Sequence, residues 1–244
     1  MKFFPEKIIE LHCYTCRSDV YNFAPIQETK KISRGWFSRH PVDKKRASAK
    51  ACPSLRGVLS AGATMPMWSD LHLQVTPPED KKCAWKYQYS DAQSSIEQHW
   101  FDQMGQPEQD ANFVCLKLIS PWLFSCREDV DFLLLGDQLE LLKYGGVEIM
   151  QGQINFKHQS GTNINTLVRK KESGMDFILP FRFPLVKFIP LTSKKLKVVN
   201  HLVSKNEWES LQGNNIRVSF SLPYYKKRNV LKGKKEFNFL KPRV

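Results

Sequence analysis

Two cysteines near the start of the chain have the spacing of a metal site or a redox pair. The stretch CYTC places Cys13 and Cys16 three positions apart, with His12 directly before them. A zinc site needs further ligands, and the sequence contains no second Cys-x-x-Cys. A thioredoxin-type pair opens a helix, whereas KIIELHCYT (7–15) has the β-branched composition of a strand. We therefore expect two thiols on a strand and its exit turn.

The other cysteines do not extend this pattern. Cys115 and Cys126 lie in apolar, strand-like runs and are predicted to be small core residues. Cys52 and Cys83 can complete a metal site only if the fold brings them to CYTC. Only two phenylalanines separate Lys2 from Pro5, which is no signal-peptide core. Reduced thiols and synthesis in a cytoplasm are therefore expected.

A second candidate metal group consists of Asp70, His72 and His158. In WSDLH the first two lie two residues apart, on one face of a predicted strand, and His158 would be a third ligand in a jelly-roll pocket. Alternation predicts instead that Asp70 and His72 are ordinary polar residues of the solvent-facing side. No His-x-His or His-Glu-x-x-His motif accompanies them. The sequence predicts no metal and no other cofactor.

No motif of a known catalytic class is present. The chain lacks a Walker A loop, a dinucleotide-binding glycine fingerprint, a nucleophile elbow and a kinase signature. The glycines of YGGVE (144–148) mark a turn into a strand, and the acids Glu128, Asp129 and Asp131 fall in a turn. We expect a protein that is not an enzyme.

Positive charge is concentrated in two segments. The chain of 244 residues carries a net charge of +13, yet residues 30–50 and residues 223–244 each contain eight Lys or Arg and one acid. The summed charge of the two segments is therefore one unit larger than the net charge of the whole chain, and the remainder of the chain is nearly neutral. Such segments favour a polyanionic partner, either nucleic acid or an acidic protein surface.

The residues expected to contact that partner share a basic or aromatic side chain within these segments. Aromatic rings between basic residues can stack on bases or anchor the segment, while the cations neutralise phosphates. The predicted partner-binding residues are Tyr224, Tyr225, Lys226, Lys227, Arg228, Lys232, Lys234, Lys235, Phe237, Phe239, Lys241, Arg243, Lys44, Lys45 and Arg46.

The basic segments are attached to a body in which the sequence predicts mainly β-strands. DLHLQVT (70–76) alternates, with Leu71, Leu73 and Val75 on one face, and CAWKYQY (83–89) repeats the pattern with aromatic residues. Further strand runs are NFVCLKLI (112–119), WLFSC (122–126), VDFLLL (130–135), GVEIMQGQINF (146–156), INTLVRK (164–170), MDFILPF (175–181), LVKFIPL (185–191), LKVVNHLV (196–203) and IRVSFSL (216–222). The sequence predicts a mainly β chain: an antiparallel sandwich, jelly-roll-like, in one domain.

Short peripheral helices are predicted at three places. PSLRGVLSAG (53–62) has a proline at its start and a glycine at its end. SSIEQHWFDQM (94–104) has apolar residues at helical spacing, and SKNEWESLQG (204–213) opens with a capping box. The expected organisation is a body over residues 1–222, with a basic loop at 30–50, and a basic arm over 223–244. Runs such as DFLLLGD (131–137) are too short to span a membrane.

Several of these segments resemble a family of β-rich proteins encoded by tailed bacteriophages, especially cyanophages. The matching features are CPSLRGVLSAGATMPMWSDLHLQV (52–75), an upstream Trp36-Phe37, SPWLFSC (120–126) and MDFILPFRFPLVKFIPLTSKK (175–195). The chain departs from the family at Arg182 and Phe183, where a glycine is expected. The resemblance covers roughly residues 7–200 and leaves out the arm. It implies a viral origin and one β-rich domain, and it implies no reaction.

The sequence leaves three functional classes open. The first is a structural subunit of a phage virion (head, neck or tail), present in many copies, whose basic arms contact either acidic faces of other virion proteins or packaged DNA. The second is a metal-dependent, cupin-like enzyme of host takeover that uses His72, Asp70 and His158. The third is a non-specific nucleic-acid-binding protein of the infected cell. Only the first and third use the basic segments.

Overall fold

The chain folds into β-sheets that share one core. The computed structural model describes residues 8–32, 52–76, 85–99, 113–169, 171 and 173–213. Its strands are β1 (Ile8–Thr15), β2 (Gln27–Glu28), β3 (Ala63–Pro66), β4 (Leu71–Val75), β5 (Trp85–Tyr89), β6 (Ile96–Gln98), β7 (Phe113–Leu118), β8 (Leu123–Ser125), β9 (Asp131–Gly136), β10 (Val147–Ile149), β11 (Gly152–Asn155), β12 (Ile164–Arg169), β13 (Met175–Leu179), β14 (Pro184–Pro190) and β15 (Lys195–Leu202). The mainly β prediction is confirmed.

Helices are short and lie between the strands. They are α1 (Ser18–Phe23), α2 (Pro53–Ser60), α3 (Gln138–Leu141) and α4 (Lys205–Gly213), with single 3₁₀ turns at Thr29–Lys31 and Leu142–Tyr144. None of these described helices is long and apolar enough to cross a membrane. The helices predicted at 53–62 and 204–213 are confirmed.

The described strands form four sheets. Their orders are β15-β1-β8, β10-β12-β7-β6, β11-β9-β14-β3-β2 and β13-β4-β5. Neighbouring strands are antiparallel, as predicted, except that β1 and β15 run parallel in register from Ile8–Lys195 to Thr15–Leu202. That pair joins the first and last described strands, so the two ends of the described chain stabilise each other.

Alternating apolar residues build the core. In β4, Leu71, Leu73 and Val75 are at most 2% exposed, as their alternation predicts. A cluster of phenylalanines links the first sheet to the five-stranded sheet. Phe124 of β8 lies with its ring centroid 5.0 Å from that of Phe188 in β14. These contacts bury large aromatic surfaces, which is the main source of folding free energy.

Two sequence predictions about secondary structure are wrong. The helix expected over 94–104 is replaced by β6, which pairs with β7 within the described part of that segment. The single strand expected over 146–156 is two strands, because β10 pairs with β12 while β11 pairs with β9 in another sheet. In both places long-range pairing overrides the local pattern.

A capping box starts helix α4. The Glu207 amide donates to Ser204 Oγ (3.3 Å), and the Ser204 amide donates to Glu207 Oε2 (2.9 Å). Both backbone donors would otherwise lack an intrahelical partner.

We expect Ser204→Ala to weaken α4 by about 1 kcal/mol, because the alanine cannot accept the Glu207 amide. Hydrogen exchange of the α4 amides should then accelerate about fivefold while the amides of β7 and β12 stay unchanged. Ser204→Thr, which keeps the hydroxyl, is the matched control. Equal exchange rates in the alanine and threonine variants would contradict the capping role.

Candidate functional site

The predicted partner-binding residues fall outside the described part of the chain. This holds for Lys44, Lys45 and Arg46 and for every predicted residue from Tyr224 to Arg243, as well as for the strand expected at 216–222. At the start of the basic loop, Lys30 and Lys31 are described. Both ammonium groups contact the carboxylate of Glu28, at 2.8 and 3.2 Å.

The CYTC cysteines lie on a strand and its exit turn, as predicted. Cys13 belongs to β1 and is fully buried, and burial raises the pKa of its thiol well above the ordinary range. Cys16 follows the strand and is partly exposed. Cys115 and Cys126 are buried core residues, as predicted, and burial raises the pKa of Cys126 to about 12. A reactive thiol needs a lowered pKa, so these buried thiols are structural.

The alternative metal site of Asp70, His72 and His158 is not formed in the described part of the chain. His72 projects from the polar face of β4, where its Nε2 lies 2.6 Å from Asp176 Oδ1. The Asp70 carboxylate precedes that strand and accepts the Phe181 amide (2.6 Å). His158 follows β11 and lies 3.5 Å from Asp129. Across the described residues, no three His, Cys, Asp or Glu side chains are grouped so as to hold a metal ion.

The acids of the 128–131 turn are structural hydrogen-bond acceptors. The Asn155 side chain donates to Asp129 Oδ1 and to Asp131 Oδ1, each at 2.8 Å. Gln153 Nε2 donates to the second oxygen of Asp131, also at 2.8 Å. These bonds tie the start of β9 to β11, its partner in the sheet. The turn therefore helps to fix the register of the two strands.

Three side chains that no sequence motif had indicated form a line on the outer face of the first sheet. Glu10 Oε2 lies 3.4 Å from His12 Nε2, and His12 Nδ1 lies 2.9 Å from His201 Nε2. The ring of His201 also stacks on Tyr14, with centroids 4.7 Å apart. Burial lowers the pKa of both histidines. Because β1 and β15 are separated by almost the whole described chain, no local pattern could have paired these residues.

A buried ion pair lies in the middle of the five-stranded sheet. Lys187 in β14 and Asp137 after β9 are 3% and 1% exposed, with Nζ and Oδ2 separated by 3.6 Å. Thr64, opposite Lys187 in β3, shares a hydroxyl–hydroxyl hydrogen bond of 2.9 Å with Thr29. Buried charges are tolerated when they are paired. These polar contacts therefore stabilise the pairing of β14 with its neighbours in the sheet.

Aromatic rings form a ladder along the edge strand β5. The ring centroids of Trp68 and Tyr89 are 6.4 Å apart, those of Tyr89 and Tyr87 6.0 Å, and those of Tyr87 and Trp85 5.7 Å. Exposure rises along the ladder from 2% at Trp68 to 40% at Tyr87. The shared face of Trp85, Tyr87 and Tyr89 agrees with the sequence prediction. Tyr87, the most exposed ring of the ladder, offers an aromatic contact surface.

Comparison with known proteins found no relative. No family model, curated protein or solved structure matches the chain. Its function is therefore inferred from its own residues.

Proposed function

We propose that the chain is a structural subunit of a virion, present in many copies, and that basic segments dock its β body onto neighbouring subunits. The body is proposed to be a jelly-roll-like sandwich. Two contacts between sheets support this arrangement: the Phe124–Phe188 contact between the first and the five-stranded sheet, and the bond from Trp85 Nε1 in β5 to Gln98 in β6 (2.8 Å). The viral origin rests on the resemblance to phage proteins.

The division of charge carries the proposal. Residues 30–50 and 223–244 hold a net charge of +7 each, whereas the rest of the chain is nearly neutral. A rigid neutral body with cationic extensions suits an assembly, because the body supplies shape while each extension adds a second, linked contact to a neighbour. The extensions would meet acidic faces of other virion proteins or packaged DNA.

In the described region, the charged and histidine side chains that could take part in catalysis support a structural role instead. His72 contacts Asp176, and Lys187 contacts Asp137. Asp129 and Asp131 accept hydrogen bonds from the side chains of Asn155 and Gln153. Each of these contacts links neighbouring strands or the turn that follows a strand. Polar groups used in this way rigidify a subunit, which is what repeated assembly requires.

We expect deletion of residues 223–244 to leave the body folded but to abolish its incorporation into particles. Co-purification with virions from cells that express the truncated chain measures this. A full-length variant with Lys226, Lys227 and Arg228 changed to Gln should also incorporate poorly, which separates charge from length. The matched control changes three exposed body lysines, Lys86, Lys195 and Lys205, to Gln and should incorporate normally. Normal incorporation of the truncated chain would contradict the proposal.

A non-specific nucleic-acid-binding function is the second candidate, and the same segments favour it. Tyr224, Tyr225, Phe237 and Phe239 lie among the basic residues of 223–244, an arrangement that serves both phosphate neutralisation and base stacking. Binding of the purified chain to single-stranded DNA would then weaken steeply with salt, with roughly one unit of slope lost per phosphate contact removed. Tight DNA binding by a chain that is missing from virions would favour this second function over the first.

A further inference from the structure

We propose that Glu10, His12 and His201 form an acid-sensitive latch that holds strand β15 and helix α4 against β1. The latch spans the parallel β1–β15 pair, and its two histidines lie 189 positions apart in the chain. Nothing in this inference depends on the virion proposal, because it rests on contacts within the described body.

The geometry fixes the protons of the neutral latch. The carboxylate of Glu10 faces His12 Nε2, so the proton of His12 resides on that nitrogen. His12 Nδ1 is then an acceptor, and His201 Nε2 donates to it across 2.9 Å. His201 Nδ1 is left as the unprotonated nitrogen of the line.

In acid the two histidines can bind one proton each, and the two protons have different effects on the hydrogen bond between the rings. The first can bind His201 Nδ1 without disturbing the bond from its Nε2 to His12. The second must bind His12 Nδ1, the atom that accepts that bond. The hydrogen bond between the rings is then lost, and two imidazolium ions face each other at contact distance. Opening of the β1–β15 pair relieves this repulsion.

The surrounding charges make double protonation unfavourable. Among the described groups, Arg127 and Lys197 lower the pKa of His12 through their positive charge, while Glu10 raises it, and burial is the largest influence of all. Glu10 is itself engaged by Lys197 Nζ at 2.7 Å. Tyr14 is a further titratable group among the described residues at the site, and burial raises its pKa, so it stays neutral. The Glu10 carboxylate is shared between His12 and Lys197, so it cannot balance two new cations.

Opening of the latch would extend to helix α4. Trp208 and Leu211 of α4 pack on Tyr14 and Leu123, on the same outer face as the histidines. The ring of Tyr14 stacks on His201, so movement of His201 removes the ring that supports Tyr14, on which the helix packs. Strand β15 and α4 are the last described elements before the basic residues 223–244.

The direction of the pH effect follows from the lowered pKa values. An unfolded or opened histidine titrates near pH 6.5, and both latch histidines titrate below this in the closed state. The open state therefore binds more protons. The contribution of the latch to stability is present above the pKa of the open state and is lost as the pH falls through that value toward the closed-state pKa values.

Hydrogen exchange of the full-length chain between pH 7.5 and 5, corrected for intrinsic rates, tests the latch. We expect the amides of β15 and α4 to lose protection in acid while those of β7 and β12 keep theirs. His201→Phe preserves a ring against Tyr14 and should remove the acid-dependent step. His72→Phe changes an exposed histidine outside the latch and should leave the step in place.

Two results would overturn the latch. The first is that the amides of β15 keep their protection in acid as fully as those of β12. This result is measured on the wild-type chain and does not depend on whether a variant folds. The other is an unchanged acid step in folded His201→Phe. NMR titration of the wild-type histidines provides a further check, because both latch rings must titrate below the ordinary value of a histidine.

Discussion

Gly62→Ala is expected to lower the free energy of unfolding by about 3 kcal/mol, because the position combines backbone strain with overpacking. Gly62 has a φ of +76°, a conformation that side chains other than glycine disfavour. A Cβ built there would overlap the Phe188 carbonyl oxygen and lie 3.0 Å from Ile189 Cα. Both are backbone atoms of β14, so a side-chain rotation cannot relieve the contact.

Separation of Gly62 from the backbone of β14 would also weaken the neighbouring strand pairs of the sheet. The carbonyl of Gly62 accepts the Thr29 amide (2.9 Å), and the next residue begins β3, which pairs with β14. Chemical denaturation of the purified variant measures the effect through its midpoint.

Gly57→Ala is the matched control. Gly57 lies inside helix α2, and a Cβ there would have no neighbour within 4 Å. Alanine favours helix over glycine, so this variant should gain up to about 1 kcal/mol. Equal stability of the two alanine variants would contradict the packing assigned to Gly62.

Lys187→Met is expected to destabilise the chain by about 3–5 kcal/mol, because it leaves the Asp137 carboxylate buried without its cationic neighbour. Asp137→Asn should have a similar cost, since it leaves the ammonium group of Lys187 buried instead. Lys187 is 3% exposed and Asp137 1%, so water cannot take the place of the missing charge.

The double variant Lys187→Met/Asp137→Asn distinguishes charge from packing. It buries no uncompensated charge, so we expect it to lose much less stability than the two single losses added together. Urea denaturation of all four proteins gives the coupling free energy. Strictly additive losses would show that the two side chains act independently, contrary to their assigned pairing.

Local patterns in the sequence predicted the helices and strands that are determined by residues close together in the chain. The alternation of Leu71, Leu73 and Val75 identified β4 and its buried face. Ser204 and Glu207 identified the start of α4, because a capping box is complete within four residues. Proline and glycine marked α2 in the same way.

Features that depend on distant partners were not predictable. Ile96 belongs to a strand because it pairs with Leu118, although its own neighbourhood has helical spacing. Alternation in β1 is the same for a parallel and an antiparallel neighbour, so it gave no sign of β15. The contact of His12 with His201 depends on that pairing, and the burial of Lys187 depends on strands on both sides. The latch and the buried ion pair therefore emerge only from the fold.

Mass spectrometry of purified virions tests the proposed structural function most directly. The proposal predicts that the chain is present at a fixed copy number per particle, in proportion to the other structural proteins, and that it remains after salt washes that remove adsorbed cell proteins. Its absence from particles, while it is abundant in the infected cells that produce them, would contradict a structural role.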